Sequence, residues 1–146
     1  MSGPALRGVE SHHAIHQTAW YEAEEALEAA ETLHVASDGA RFARVAEVFL
    51  EVVEARILAH AAEEEAGLYR EWLEADDGLR SAVDSLMFEH DTLRHLALAV
   101  EAAMLEKEHD AALSRMRDFL EASAAHSRHE EDVLRDRPLS RKETSL

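Results

Sequence analysis

Helix-breaking residues are scarce in this chain, and their scarcity constrains the fold more than any other feature. Five glycines and two prolines stand among 146 residues, too few for the many turns of an all-β fold. Ala, Glu, Leu and Arg, which favour helix, dominate the stretches between them. Breaks in the helical pattern lie at 37–39, 76–78 and 107–110, with a final stop at Pro138. The predicted helices are 9–35, 41–74, 79–107 and 110–136.

The short breaks also predict how these helices are arranged. Consecutive helices joined by short connections run antiparallel, so we expect an all-α, up-down-up-down four-helix bundle. The interpretation is a single domain over 1–146, with the bundle at about 9–136 and a loose polar tail at 137–146. The sequence has no apolar run of ~18 residues and no apolar N-terminal segment, so we expect a soluble cytoplasmic protein.

Charge and cysteine content exclude several classes of function. The 31 acidic residues outnumber the 15 basic ones and give a formal net charge of −16. This charge argues against nucleic acid and anionic membrane as partners. The chain has no cysteine, which excludes a disulfide framework, a thiolate metal site and a cysteine nucleophile. What remains to be explained is the presence of ten histidines.

One histidine lies on the apolar stripe of each predicted helix. Two of these histidines are followed four residues later by a glutamate on the same face, Glu64 and Glu130. The two segments share the pattern H-x-x-x-E-E-x-x-L, so the chain divides into two similar helical hairpins. The four histidines on the stripes are His16, His60, His90 and His126.

These four histidines are predicted to lie at one depth of the bundle. Two residues equidistant from the turn between antiparallel helices lie at the same depth. The midpoints between successive histidines are 38 and 108, within two of the breaks, and 75, where the third break begins. His12 lies one turn before His16, about 6 Å outside this layer at a rise of about 1.5 Å per residue. His16 is therefore preferred as the ligand from the first helix, with His12 as an alternative or additional ligand.

Four histidines and two glutamates in one buried layer indicate a metal site. Burying such groups without partners is costly, and imidazole and carboxylate ligands without thiolate suit iron, manganese or zinc. A carboxylate four residues after a histidine can bridge two ions, which leaves positions open for a small exogenous ligand. A single buried histidine is more often a core residue, so the prediction depends on six groups converging. These groups are His16, His60, Glu64, His90, His126 and Glu130.

The order of these residues resembles the hemerythrin-like, or HHE cation-binding, domain over about 10–136. The segments from His60 to Tyr69 and around Glu89-His90 are typical of it. The resemblance implies a non-haem centre of two iron ions with an oxo or hydroxo bridge, in which manganese or zinc can substitute. It implies binding of, or reaction with, O2, NO or peroxide, in sensing of oxygen, iron or redox state or in stress response. Any enzymatic activity would be that of a di-iron oxidoreductase.

The chain departs from the oxygen carriers of this family at two places. The carriers have H-x-x-x-H on the third helix, whereas Arg94 stands four residues after His90. They have H-x-x-x-x-D on the last helix, whereas Glu130 is four residues after His126. We therefore expect reaction with a small ligand, or sensing, rather than stable oxygen carriage.

Other classes of function have different signatures. A ferritin-like di-iron oxidase is excluded because the Glu-x-x-His pairs, such as Glu31 and His34, lie at helix ends and no connection is long enough for a crossover. A metal-dependent regulatory module without turnover and a structural bundle without metal stay open, as does a homo-oligomer.

The remaining polar and aromatic residues near the layer are expected to be peripheral. Glu89 and Arg94 are interpreted as a surface ion pair, with orientation of a ligand as the alternative. Glu65 is expected to face solvent, and Tyr69 and Trp72 to pack at a helix end. The histidines expected at the surface or at helix ends are His13, His34, His95, His109 and His129.

Overall fold

A computed structural model describes residues 8–136, and the secondary structure in this range is helical throughout. The four predicted helices are confirmed, although the second is interrupted. Pro138 and the tail at 137–146, which we expected to be loose, lie outside the described residues. Within 8–136, no helix combines the length and the apolarity needed to cross a bilayer. The α-helices are α1 (Val9–Val35), α2 (Gly39–Val52), α3 (Ala59–Ala66), α4 (Leu68–Ala75), α5 (Arg80–Leu105) and α6 (His109–Asp136).

Two of the connections end their helices with the same hydrogen-bonded motif. Ser37 after α1 and Lys107 after α5 have φ angles of 59° and 57°. Their backbone N–H groups donate to the carbonyls of His34 and Met104, each at 3.0 Å, and the next N–H in each turn bonds back five residues at 2.9 Å. This pattern satisfies the last carbonyls of a helix and reverses the chain. Neither turn has glycine at the left-handed position, where glycine would be least strained.

Contacts along α1 and α6 show that these two helices lie side by side in opposite directions. His34, near the end of α1, lies 2.6 Å from Asp110 at the start of α6. His13, near the start of α1, lies 3.0 Å from Glu131, late in α6. The N-terminal part of α1 therefore lies beside the C-terminal part of α6.

Buried apolar residues form two separate clusters with a polar layer between them. The larger cluster draws on α1, α2, α5 and α6 and includes Phe49, Leu93 and Phe119. The smaller cluster is built around Tyr69 and Trp72 of α4 and also includes residues of α5 and α6. Along α5 and α6, the histidines predicted to be on the apolar stripe come between the residues of the two clusters.

A π-helical segment at Val53–Leu58 joins α2 to α3 and was not predicted. Its turns are wider than those of an α-helix, and the N–H of Ala59 donates to the carbonyl of Glu54, five residues earlier. The segment takes up about one extra residue, which moves the buried stripe of the next helix. Gly67, which a straight helix would place on that stripe, instead separates α3 from α4, and Leu68 is buried.

Candidate metal centre

Five histidines and two glutamates meet in the polar layer between the two apolar clusters. They form two groups, and Glu64 belongs to both. Within each group, one ligand atom from every residue lies within 4.8 Å of the others. The structure thus brings together all six residues that the sequence selected, and His12 joins them. The first group is His12, His16, His60 and Glu64; the second is Glu64, His90, His126 and Glu130.

The first group gathers three imidazole Nε2 atoms around carboxylate oxygens. Nε2 of His12 and of His60 lie 2.8 Å and 3.0 Å from Oε2 of Glu64. Nε2 of His16 lies 3.1 Å from Oε1 of Glu130, and His12 also hydrogen-bonds to this oxygen. His12 and His16 therefore face one oxygen of each glutamate, and His60 faces the same oxygen of Glu64.

The second group uses the other oxygen of each glutamate. Nε2 of His90 lies 3.1 Å from Oε1 of Glu64, and Nε2 of His126 lies 3.8 Å from Oε2 of Glu130. The two Nε2 atoms are 3.0 Å apart. Glu64 thus presents Oε2 to the three histidines of the first group and Oε1 to His90. Glu130 presents Oε1 to two of the first group and Oε2 to His126, and a carboxylate divided in this way is able to bridge two ions.

His12 belongs to the cluster on the same footing as His16, contrary to the preference that the sequence suggested. His12 is 0% exposed, its Nε2 contacts both glutamates, and its ring lies 4.4 Å from that of His16. The rise of the helix separates the two backbones, as predicted. The side chains nevertheless converge, because both rings turn towards the same carboxylates.

Tyr69 is a member of the site that sequence reasoning missed. Its hydroxyl donates to Oε2 of Glu130 and lies 3.3 Å from Nε2 of His90 and 3.5 Å from Oε1 of Glu64. We expected packing at a helix end, but the break at Gly67 turns α4 so that the phenol enters the centre. Burial and the nearby negative charges of Glu130 and Glu64 raise the pKa of Tyr69 far above its usual range. The phenol is therefore a neutral hydrogen-bond donor.

Glu65 and Glu89 are also closer to the site than the sequence suggested. Glu65 does not face solvent alone: its Oε2 lies 2.7 Å from Nδ1 of His90, and Arg94 binds the same carboxylate. Glu89 does not pair with Arg94 but lies 2.7 Å from Nδ1 of His126. The expected surface pair is replaced because the ring of a histidine lies beside each carboxylate.

Electrostatics favour protons on the imidazoles of His12 and His16 in the metal-free site. Burial disfavours the charged form of His12, but hydrogen bonds and charges from Glu130 and Glu64 outweigh it and raise the pKa of His12 to about 10. The same balance raises the pKa of His16 to about 9. Burial alone would raise the pKa of Glu64, yet the surrounding imidazoles, of which His12 is a direct hydrogen-bond donor, hold it well below the usual range.

The donor set fits a pair of metal ions. Imidazole nitrogens and carboxylate oxygens without sulfur match the preferences of iron, manganese and zinc. Among the described residues, the buried Nε2 of His60 has no well-directed hydrogen bond, although it lies 3.0 Å from Glu64. A metal ion bound by the three-histidine group would use this atom, and its positive charge would replace the protons on His12 and His16.

A small cavity adjoins the cluster on the side of the larger apolar cluster. His16, His60, His90 and His126 line it together with apolar side chains that include Leu93. Its volume is about 20 Å³, enough for a molecule of about the size of water. The cavity can therefore hold a ligand of about the size of water beside these four histidines.

The described residues establish a buried cluster of histidines and glutamates that can hold metal. The chemistry of this cluster is therefore the basis for assigning a function. Comparisons with family models, with curated proteins and with solved structures give no match to this chain.

Proposed function

We propose that the chain is a non-haem di-iron protein of the hemerythrin-like kind, an up-down-up-down four-helix bundle whose centre binds or reacts with O2, NO or peroxide. The observation that carries the proposal is the division of each carboxylate between two histidine groups. One oxygen of Glu64 faces His12 and His60, and the other faces His90. Carboxylates with this arrangement are suited to bridging two ions rather than binding one.

In this proposal each group of histidines holds one iron. The first ion would be held by His12, His16 and His60, the second by His90 and His126, and Glu64 and Glu130 would bridge them. Bound iron would supply one-electron chemistry and affinity for small oxygen or nitrogen ligands. Manganese or zinc could occupy the same ligands.

The surroundings support a small ligand. The apolar clusters on both sides of the layer limit access of water, and the adjoining cavity holds a molecule of about the size of water. On the opposite side, the hydroxyl of Tyr69 donates a hydrogen bond to Glu130. It can therefore stabilise negative charge at the centre without losing its own proton.

A second candidate is a metal-dependent sensor or regulatory module without turnover. The buried ligands and the small adjoining cavity suit a bound signal molecule as well as a reactant. Both candidates share the same metal ligands and differ in whether the bound ligand is released unchanged or converted. A purely structural bundle without metal is disfavoured, because burying seven titratable side chains together is costly.

Metal analysis tests the proposal directly. Protein purified aerobically, and protein reconstituted anaerobically with Fe(II), should contain two irons per chain and show an oxo-to-iron charge-transfer band after oxidation. The matched control is His95→Ala, which changes an exposed histidine that bonds within its own helix. Substoichiometric metal after reconstitution, with no such band, contradicts the proposal.

Spectroscopy of the reduced protein separates the two candidates. Exposure to O2, NO and peroxide in separate experiments should change the visible spectrum for at least one ligand. Recovery of the starting spectrum on removal of the ligand indicates a sensor or binding module. Repeated consumption of oxidant in the presence of a reductant indicates turnover.

A further inference from the structure

Three histidines of the metal centre are held at their second ring nitrogen by carboxylates. Nδ1 of His16 lies 3.2 Å from Glu131. The partners of the other two histidines, Glu65 and Glu89, are at 2.7 Å. In each case the other nitrogen, Nε2, faces Glu64 or Glu130.

We propose that Glu65, Glu89 and Glu131 are positioning residues, which keep the proton on Nδ1, direct Nε2 to the metal and set the electron density of the centre. This inference rests on the proposed function, because it assigns roles around the same metal ligands. A carboxylate that accepts the Nδ1 proton of a ligand histidine fixes its tautomer and strengthens its donation to the metal.

The arrangement gives a role to both glutamates of the repeated pattern H-x-x-x-E-E. The first glutamate of each pair, Glu64 or Glu130, faces the centre. The second points about 100° further round the helix and reaches the histidine of a neighbouring helix, so Glu65 of α3 meets His90 of α5. Glu131 of α6 reaches α1 in the same way.

Each positioning carboxylate also contacts a second basic group on its outer side. Glu131 lies 3.0 Å from Nδ1 of His13, and Glu89 lies 2.7 Å from Nδ1 of His129. Glu65 differs, because Nη2 of Arg94 lies 3.0 Å and 3.1 Å from its two oxygens. Arginine is always charged, so its positive charge always balances the negative charge of Glu65. The paired carboxylate gives His90 less electron density than an unpaired carboxylate would.

This difference predicts opposite effects from two substitutions. Glu65→Gln keeps a hydrogen-bond acceptor for His90 but removes the negative charge, so the oxidised metal becomes less stable and the reduction potential rises. Arg94→Gln releases the carboxylate from its cation, so the potential falls. Loss of packing alone has no reason to shift the potential in opposite directions.

The first experiment measures the reduction potential of the iron-loaded protein for these two variants. Glu101→Gln, an exposed change on α5, is the control and should leave the potential unchanged. Opposite shifts for Glu65→Gln and Arg94→Gln support the inference. Shifts in the same direction, or shifts no larger than that of the control, overturn it.

The second experiment uses Zn(II) and needs no redox chemistry. Alanine at position 65, 89 or 131 should weaken Zn(II) binding by about 10- to 100-fold, and Glu65→Gln should retain more affinity than Glu65→Ala. In nitrogen NMR spectra of the Zn(II) protein, the Nδ1–H signals of His16, His90 and His126 should be protected from exchange. Each alanine variant should lose the protection of its own partner only.

The outcomes separate this inference from the proposed function. If the wild-type chain binds no metal, the proposed function fails and this inference fails with it. If the wild type binds metal but the three alanine variants match Glu101→Gln in affinity and in Nδ1–H protection, only this inference fails. Glu65→Gln retains the size and shape of the side chain, so it reports on charge even if an alanine variant unfolds.

Discussion

At the scale of single residues, the centre depends on hydrogen bonds that no linear pattern reveals. Tyr69 is five residues from Glu64 and 61 residues from Glu130, yet its hydroxyl contacts both carboxylates. The six selected residues could be predicted because helical periodicity and turn positions define their depth. Tyr69, Glu65 and Glu89 could not, because their roles depend on contacts between side chains of different helices.

Removing the hydroxyl of Tyr69 tests its part in the metal-free site. Tyr69→Phe leaves Oε2 of Glu130 with one donor fewer at a fully buried position, which should lower the free energy of unfolding by about 1–3 kcal/mol. Urea denaturation in the presence of a chelator measures the change. Tyr21→Phe, at an exposed position on α1, should have no effect, and equal stabilities of the two variants would contradict the role of Tyr69.

The two histidines of α1 can be compared directly by substitution. His12→Ala and His16→Ala should each lower the iron content below that of the wild type, since each ring lies beside both glutamates. Iron analysis after identical reconstitution provides the measurement. If the His12→Ala variant retains all of its iron, His12 is not a metal ligand and the sequence-based preference for His16 is correct.

At the scale of elements, the helix ends could be predicted from residues with strong backbone preferences, but the π-helical turn could not. Asp, Ser and Gly mark the connections, so the helix ends lie close to the predicted positions. The π-helical segment Val53–Leu58 contains no glycine or proline, and the wider turn depends on packing against the rest of the molecule. The projection of a straight helix from α2 therefore misplaces Gly67 and misses Tyr69, although it still selects His60 and Glu64.

Deleting one residue tests whether the π-helical segment is an insertion within a regular helix. Without Ala55, the segment can close into an α-helix and leave both flanking faces in place, so the chain should still bind metal. Deleting Glu121, also exposed but within the regular helix α6, rotates the remainder of that helix by about 100° and should abolish metal binding, because the rotated part carries His126 and Glu130. Metal content of the two variants distinguishes them; equal losses would be inconsistent with this view of the segment.

Glycine at the left-handed turn position should stabilise the fold. Ser37 has a φ of 59°, a conformation that costs a non-glycine residue about 1–2 kcal/mol. Glycine also gives the unfolded chain more conformational freedom, which offsets part of the relieved strain. Ser37→Gly should therefore raise the free energy of unfolding by about 0.5–1 kcal/mol. The neighbouring Ala36 has a φ of −78°, so Ala36→Gly should destabilise, and chemical denaturation should rank the two variants on opposite sides of the wild type.

At the scale of the whole molecule, the protonation of the centre couples its stability to pH. The raised pKa values of His12 and His16 mean that their protonated forms stabilise the metal-free fold fully below pH 6.5, and that this contribution disappears as the pH rises through about 9 to 10. The lowered pKa of Glu64 has the opposite sign, because its contribution is present above pH 4.5 and is lost as the pH falls.

The metal-free protein should therefore be most stable between pH 4.5 and pH 6.5 and should lose stability towards about pH 10. Zn(II) binding requires neutral imidazoles, so the stabilisation by Zn(II) should increase over the same alkaline range. Melting temperatures recorded with chelator and with Zn(II) across this range supply the test. A metal-free protein that gains stability from neutral to alkaline pH would contradict the proposed charge balance.

The position of the polar layer has a mechanical consequence for the fold. The layer divides the apolar interior into a larger cluster, shared by α1, α2, α5 and α6, and a smaller one built on α4. Without metal, the two are coupled by the continuous helices α5 and α6 and by hydrogen bonds between charged groups, so α4 around Trp72 can open locally while the larger part stays folded. A pair of bound ions, with ligands on α1, α3, α5 and α6, would join both parts into one cooperative unit, and iron supply would then decide how long the chain survives proteolysis.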